Sequence, residues 1–235
     1  MMKANDRFIL ALDDQSQWAE CEKLLDLIGS SLSFVKVGSI AFSAMGPAVL
    51  SKIHQRGLKI FLDLKYHDIP NTVSKAVDRV TDHVPLELFT VHAAGGAEMI
   101  ESTQNVLQKK FSSNRPKMIA ITVLTSLHVD FFWKLGFPLE MQTVDLVSSL
   151  AKNAVDAGAD GVVCSGLELE SLHGVLSPGV LKIVPGVRIE SLGDDQKRVV
   201  TPKQAFDMGA SALVLGRTVT QSVDPKATFE SLLSL

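Results

Sequence analysis

Apolar residues fall along the chain in short runs, most of four to seven residues, and several of the runs stop at a polar or charged side chain. Phe8 to Leu12 stops at Asp13, Phe34 to Gly38 carries Lys36 within it, and Leu58 to Leu62 leads into Asp63 and Lys65. Further runs span Leu86 to Val91, Met118 to Leu124, Gly161 to Cys164, Leu181 to Val184 and Ala212 to Leu215. Mainly apolar runs of this length predict buried parallel strands.

The stretches between them carry helical spacing. Ser16 is the expected cap of a helix through Leu27 and Ile28, closed by Gly29. Pro47 falls in the first turn of a second helix, with Val49, Leu50 and Ile53 on one face and Gly57 beyond its end. Asn71 or Thr72 is the expected cap of a third, whose apolar positions are Val73, Ala76, Val77 and Val80. A fourth is expected from about Ala97 to Lys109. Three junctions repeat one phrase: Arg56-Gly57-Leu58, Ala157-Gly158-Ala159 and Met208-Gly209-Ala210. In each, glycine suits a left-handed helix end that returns the chain quickly to the sheet.

Eight strands alternating with helices predict an α/β fold, a (β/α)8 barrel in one domain over residues 1–235. An open doubly wound sheet is the alternative. The first strand is not followed by the glycine fingerprint of a dinucleotide site, which weakens that version.

Composition narrows the functional classes. The 235 residues are 46% hydrophobic and 21% charged, with a net charge of −3, so no basic footprint for nucleic acid is present. No apolar run approaches the length of a membrane span. The polar Met1 to Arg7 and the short run after it do not make a signal-peptide core, so a cytoplasmic enzyme is expected. The two cysteines, Cys21 and Cys164, are read as packing residues rather than a disulfide framework. The histidines show no compact metal-ligand spacing, and His92 is read as a structural hydrogen-bonding residue.

In a barrel, chemistry gathers at the C-terminal strand ends. Here those ends carry Asp13, Lys36, Asp63 with Lys65, His92, Thr125 with Ser126, Arg188, and Gly216 with Arg217. Taken singly, each could be a solvated loop residue, and a lone Asp-x-Lys is an ordinary surface ion pair worth little. The charges of the third strand follow a run that is apolar but for Lys59 at its start, which points to a partly buried mouth. Residues two apart on a strand share a face, so Asp63 and Lys65 are expected to point together, with the chain turning beyond Lys65. Pro185 to Arg188 and Gly216-Arg217 follow the last two strands, where such barrels often bind phosphate. Glycine admits backbone N–H groups to an anion, and arginine offers a planar fork. The polar segment from Arg188 through Gln196 to Pro202 is long enough to fold over a ligand.

The stretch from Asp63 through Lys65, Tyr66, His67, Asp68, Ile69, Pro70 and Asn71 to Thr72 closely resembles the active-site signature of the orotidine 5′-phosphate decarboxylase family. Ala11 to Asp13, Val35 to Gly38, Leu124 to Ser126, Pro185 to Arg188, Asp195-Gln196 and Leu215 to Arg217 resemble that family's other motifs, in its order. The resemblance implies a homodimeric barrel enzyme without cofactor or metal that converts orotidine 5′-phosphate to UMP and carbon dioxide in pyrimidine synthesis. It implies a charged network of Lys36, Asp63, Lys65 and Asp68, with Asp68 and Thr72 supplied across the dimer interface. It also implies that Asp13 and Lys36 hold the ribose and that Thr125 and Ser126 lie near the base. Ile69 and Pro185 belong to the substrate site on the same ground. Arg188, Gln196, Gly216 and Arg217 would hold the phosphate.

The chemistry asks for such residues. Loss of the carboxylate leaves a carbanion at C6, which a lysine can stabilise and then protonate. Neighbouring carboxylates favour the charged form of an amine, and two unit charges about 4 Å apart interact by roughly 4 kcal/mol at an effective dielectric of 20. Two alternatives stay open. A magnesium-dependent sugar-phosphate decarboxylase or aldolase shares the Asp-x-Lys-x-x-Asp core, although the continuation from His67 to Thr72 speaks against it. The other is a non-catalytic nucleotide-binding protein on the same fold.

Overall fold

Eight parallel strands close on themselves in sequence order, each paired with the next and β8 with β1. The computed structural model describes residues 4–187 and 200–234. The strands are β1 (Phe8–Leu12), β2 (Phe34–Gly38), β3 (Lys59–Tyr66), β4 (Leu88–His92), β5 (Lys117–Ile121), β6 (Gly161–Val163), β7 (Leu181–Pro185) and β8 (Ala212–Leu215). The helices between and after them are α1 (Trp18–Ile28), α2 (Ser39–Met45), α3 (Ala48–Gln55), α4 (Pro70–His83), α5 (Ala97–Phe111), α6 (Val129–Lys134), α7 (Thr143–Asp156), α8 (Leu169–Val175), α9 (Pro202–Asp207), α10 (Arg217–Thr220) and α11 (Pro225–Leu233). The expected barrel is therefore the observed one, and the open sheet is set aside.

Strand alternation divides the interior into two cores. Leu10, Leu12, Val35, Val37, Ile60, Leu62, Phe89 and Val91 face outward and pack under the helices. Ile9, Ala11, Phe34, Phe61, Leu88, Ile119 and Ile183 face inward and fill the barrel. The inward set changes character as it climbs. One step of two residues above Ala11, Phe34, Phe61 and Leu88 stand Asp13, Lys36, Asp63 and Thr90. The apolar runs are thus apolar on both faces only through their lower half. Their inward positions turn polar at the top, where a filled barrel gives way to its mouth.

Several local expectations need correction. β5 ends at Ile121, not Leu124, because the chain leaves the sheet into bends and turns after Ile121. α1 starts after Gln17 rather than Ser16. Glu20 reaches back to accept from the backbone N–H groups of both Ser16 and Gln17, at 2.9 and 3.1 Å. α4 begins at Pro70, with Ile69 in the cap position. Asn71 and Thr72 are in its first turn, where the missing N–H and fixed φ of proline are well suited. The single helix expected around Pro47 is two, α2 and α3, separated at Gly46 and Pro47. The repeated glycine junctions behave as expected: Gly57, Gly158 and Gly209 all have positive φ.

β3 is the irregular strand. It continues to Tyr66 rather than turning beyond Lys65, and its pairing with β4 jumps from Leu62 opposite Phe89 to Tyr66 opposite Val91. Four steps on β3 answer two on β4. The extra length is taken up around Lys65, whose φ of 52° lies in the left-handed region that a side chain with a Cβ rarely adopts.

Candidate active site

The mouth of the barrel holds a cavity of about 760 Å³. Its apolar floor includes Ala11, Phe61, Ile121 and Val214, and its polar walls carry Asp13, Lys36, Asp63, Lys65, Thr125 and Arg217. Pro185 and Gly216 also line it. The loop after β8 therefore meets the ends of β1, β2, β3 and β7 around one space, as expected for a barrel mouth.

Four charges form an alternating line across that space. Lys36 Nζ donates to Asp13 Oδ1 at 2.5 Å and lies 3.2 Å from Asp63 Oδ2. Lys65 Nζ donates to the same Asp63 oxygen at 2.9 Å. The other oxygen, Asp63 Oδ1, accepts from the Thr90 hydroxyl at 3.0 Å. Lys36 and Asp63 are 6% and 7% exposed, which removes them from the class of surface ion pairs. Burial alone would raise the pKa of Asp63. The Lys36 and Lys65 charges, with hydrogen bonds from Lys65 and Thr90, outweigh it and hold the carboxyl below its ordinary value.

The geometry explains why Gly38 closes β2. A Cβ there would stand 2.4 Å from Asp13 Oδ1 and 3.2 Å from Lys36 Nζ, so any larger residue would displace the Asp13–Lys36 pair. At Gly216 an added Cβ meets nothing within 4 Å, so the space beside Arg217 is open to a ligand. Arg217 is exposed and makes no ion pair with a carboxylate among the described residues. Arg188 and Gln196, the other expected phosphate contacts, lie outside the described residues.

Four expected site residues stand off the cavity within one chain. Asp68, Ile69 and Thr72 do not line it, and neither does Ser126, which is exposed after β5. Asp68 instead accepts from the N–H of Ile69 at 2.6 Å, and Ile69 is 65% exposed. Among the described residues Lys65 consequently meets one carboxylate, Asp63, where the resemblance implies two.

His92 accepts from the Ala94 N–H through Nδ1 at 3.3 Å and stacks on His67, with ring centroids 4.9 Å apart. Burial lowers its pKa, and the neighbouring His67 and Lys65 lower it further. Its role in holding the β3 and β4 loops together agrees with the structural reading. Both cysteines are buried, and burial raises each thiol's pKa: Cys21 to about 11, and Cys164 further still. No group of three or more His, Cys, Asp or Glu side chains placed to hold a metal ion occurs among the described residues. Among the same residues, no helix is long and apolar enough to cross a membrane.

Residues missed from sequence are Thr90, Ser39, Ile40, Thr218 and Gln221. The last four line the cavity from the starts of α2 and α10 and the residue after α10. Thr90 had a signal, a polar residue flanked by Leu88, Phe89 and Val91 in a strand. The others sit in the first turns of α2 and α10 or just after α10, where neither a polar residue nor an exposed isoleucine is unusual.

A sequence model described as the orotidine 5′-phosphate decarboxylase / HUMPS family matches residues 6–232. The chain is 38% identical over 230 residues to a protein of Vibrio atlanticus (strain LGP32) named orotidine 5′-phosphate decarboxylase, covering 97% of each. It is 40% identical over 230 residues to a protein of the same name from Trichlorobacter lovleyi, covering 95% of this chain and 92% of the relative. Its fold matches the crystal structure of orotidine 5′-phosphate decarboxylase from Lactobacillus acidophilus with a TM-score of 0.85. The two are 37% identical, and the match covers 97% of this chain and 98% of that one.

Proposed function

The chain belongs to the orotidine 5′-phosphate decarboxylase / HUMPS family, and from that membership we propose that it is a carboxy-lyase converting orotidine 5′-phosphate to UMP and carbon dioxide in the cytoplasm. The observation that carries this reading is the line Asp13–Lys36–Asp63–Lys65, set above an apolar floor in a cavity that also holds Arg217.

The roles follow from position and chemistry. Asp63, held ionised by two lysines, faces the substrate carboxylate and disfavours it relative to the state in which that charge has left. Lys65 ends the line and has one carboxylate partner among the described residues, so its remaining N–H bonds can turn toward C6. It stabilises the carbanion and delivers the proton. Asp13 and Lys36, already paired at 2.5 Å, hold the ribose hydroxyls. Thr125 lies beside the base, with Ser126 addressing its amide. Arg217 beside open ground at Gly216, together with Arg188 and Gln196, grips the phosphate with Pro185 close by. That grip lies away from the reacting carbon, so its binding energy can favour closure over the site and raise turnover as well as affinity.

The site is complete only in a homodimer on this reading. Asp68, Ile69 and Thr72 do not line their own cavity and supply a second copy's, giving Lys65 its second carboxylate. The mouth carboxylates Asp13 and Asp63 are already engaged by lysines, which favours a reaction without metal over a magnesium-dependent one. The test is loss of orotidine 5′-phosphate absorbance with the purified protein in EDTA. Turnover undiminished by the chelator is expected. Turnover that needs added magnesium would point to the sugar-phosphate enzymes, and nucleotide binding without turnover to a non-catalytic role.

A further inference from the structure

We propose that Thr90 is a positioning residue for the reaction: its hydroxyl clamps Lys65 and Asp63 into the geometry in which they work. The inference rests on the function proposed above and extends it to a residue that does not line the cavity.

Where β3 outruns β4 between Leu62 and Tyr66, the parallel ladder cannot supply a partner for every backbone group. The Lys65 N–H is one of those left over, and it donates instead to Thr90 Oγ1 at 2.8 Å. The same hydroxyl spends its proton on Asp63 Oδ1 at 3.0 Å. A hydroxyl can donate once and accept as well, so one group satisfies both neighbours. Thr90 is fully buried, so water cannot replace it there.

The clamp acts on two quantities that matter. Lys65 is held at a φ of 52°, a conformation that costs on the order of 1 kcal/mol or more for a residue with a Cβ and persists only where its surroundings impose it. Thr90 is the hydrogen-bond acceptor that anchors the residue there. Asp63 is also fixed in rotation. With Oδ1 taken by Thr90, Oδ2 is the oxygen left to meet Lys36 and Lys65, at 3.2 and 2.9 Å. Without the hydroxyl the carboxylate can turn and the Lys65 backbone can relax, and the ammonium loses its aim while the phosphate grip stays intact. Only a small residue with a hydroxyl directed across β3 does both jobs. Valine has the same shape without the donor and acceptor, and serine keeps them without the methyl group.

The experiment compares Thr90→Val and Thr90→Ser with the native protein in three measurements. In steady-state turnover, the valine variant is expected to lose roughly ten- to a hundredfold in kcat with KM changed less than about threefold, the loss expected for a hydrogen bond to a charged group. The serine variant is expected to recover most of that kcat. In the pH profile, the acidic limb of kcat moves to higher pH in the valine variant only, since Asp63 has lost a donor that favours its ionised form. In amide hydrogen exchange, the Lys65 N–H is protected in the native and serine proteins and exposed in the valine protein. Unchanged kcat for Thr90→Val overturns the proposal. So does a serine variant as slow as the valine one, or a Lys65 amide equally protected in all three. If the native protein turns over no orotidine 5′-phosphate, the functional reading fails by itself, and the exchange measurement still decides whether the clamp exists.

Discussion

Both ends of the barrel carry buried or half-buried ion pairs, and they are built on opposite plans. At the N-terminal end, Arg115 and Asp160 meet through two parallel hydrogen bonds at 2.7 and 2.9 Å, and Asp160 also accepts from the Met118 N–H at 2.8 Å. Asp6 similarly takes Lys59 at 2.6 Å and the Ser33 hydroxyl at 3.1 Å. These carboxylates tie strand starts together. At the C-terminal end, two lysines share one oxygen of Asp63, and Arg217 has no carboxylate partner among the described residues. A set of charges that satisfies itself is a staple. A set left with unspent donors over a cavity is arranged for something outside the protein.

Substitutions at the two ends should therefore separate function from stability. The largest effect is expected at Lys65. Lys65→Ala should lower kcat by at least about a thousandfold, because both the charge at C6 and the proton source are removed. Its melting temperature should stay within a few degrees of the native value, since the side chain is 38% exposed. Turnover within tenfold of native would break the contrast from the functional side.

Mixing comes next. Lys65→Ala and Asp68→Ala should each be inactive alone, and together, after subunit exchange, should regain up to about a quarter of native activity, since half the dimers are hybrids with one intact site of two. No recovery despite demonstrated exchange would place Asp68 outside a shared site.

Arg115→Ala is the mirror experiment. It leaves the partly buried Asp160 without its strongest partner and should cost about 2 kcal/mol of stability, or roughly 4–8 °C in melting temperature, with kcat unchanged. A large fall in kcat at native stability would erase the distinction between the ends.

The smallest effect is with pH. The carboxyl of Asp63 has a lower pKa folded than unfolded, so the unfolded chain takes up the proton first as pH falls. Its contribution to stability is complete above the unfolded value near 4 and is lost on going down through the folded one. Asp63→Asn should flatten that part of the stability curve, read from denaturant midpoints between pH 5 and pH 3. An unaltered slope would mean that the lysines hold Asp63 no more tightly than solvent does.

The same contrast separates what the sequence disclosed from what it hid. The barrel was legible because eight apolar runs and three glycine junctions repeat one βα unit, and burial on both faces leaves few other ways to fold them. The charged line was legible at Asp13, Lys36, Asp63 and Lys65 because charges closing apolar strands are expensive to bury without purpose. The irregularity of β3 was not. Alternation places Asp63 and Lys65 on one side, as found, but no local pattern announces that four residues of β3 answer two of β4. Thr90 gave only a partial signal: a polar residue within an apolar run is visible, but threonine is a normal strand residue, and its partners lie 25 and 27 positions away. Helix starts at Trp18 and Pro70 were decided by a glutamate reaching back and by proline at the first position, which compete with the usual serine and asparagine caps.

The most direct measurement is a crystal structure with UMP bound. The account predicts Lys65 Nζ within hydrogen-bonding reach of C6 of the pyrimidine, Arg217 on the phosphate, and Asp68 of a second copy beside Lys65. A nucleotide lying with its phosphate against Lys65 and its base against Arg217, or one that leaves Lys65 out of contact with the pyrimidine, would contradict it.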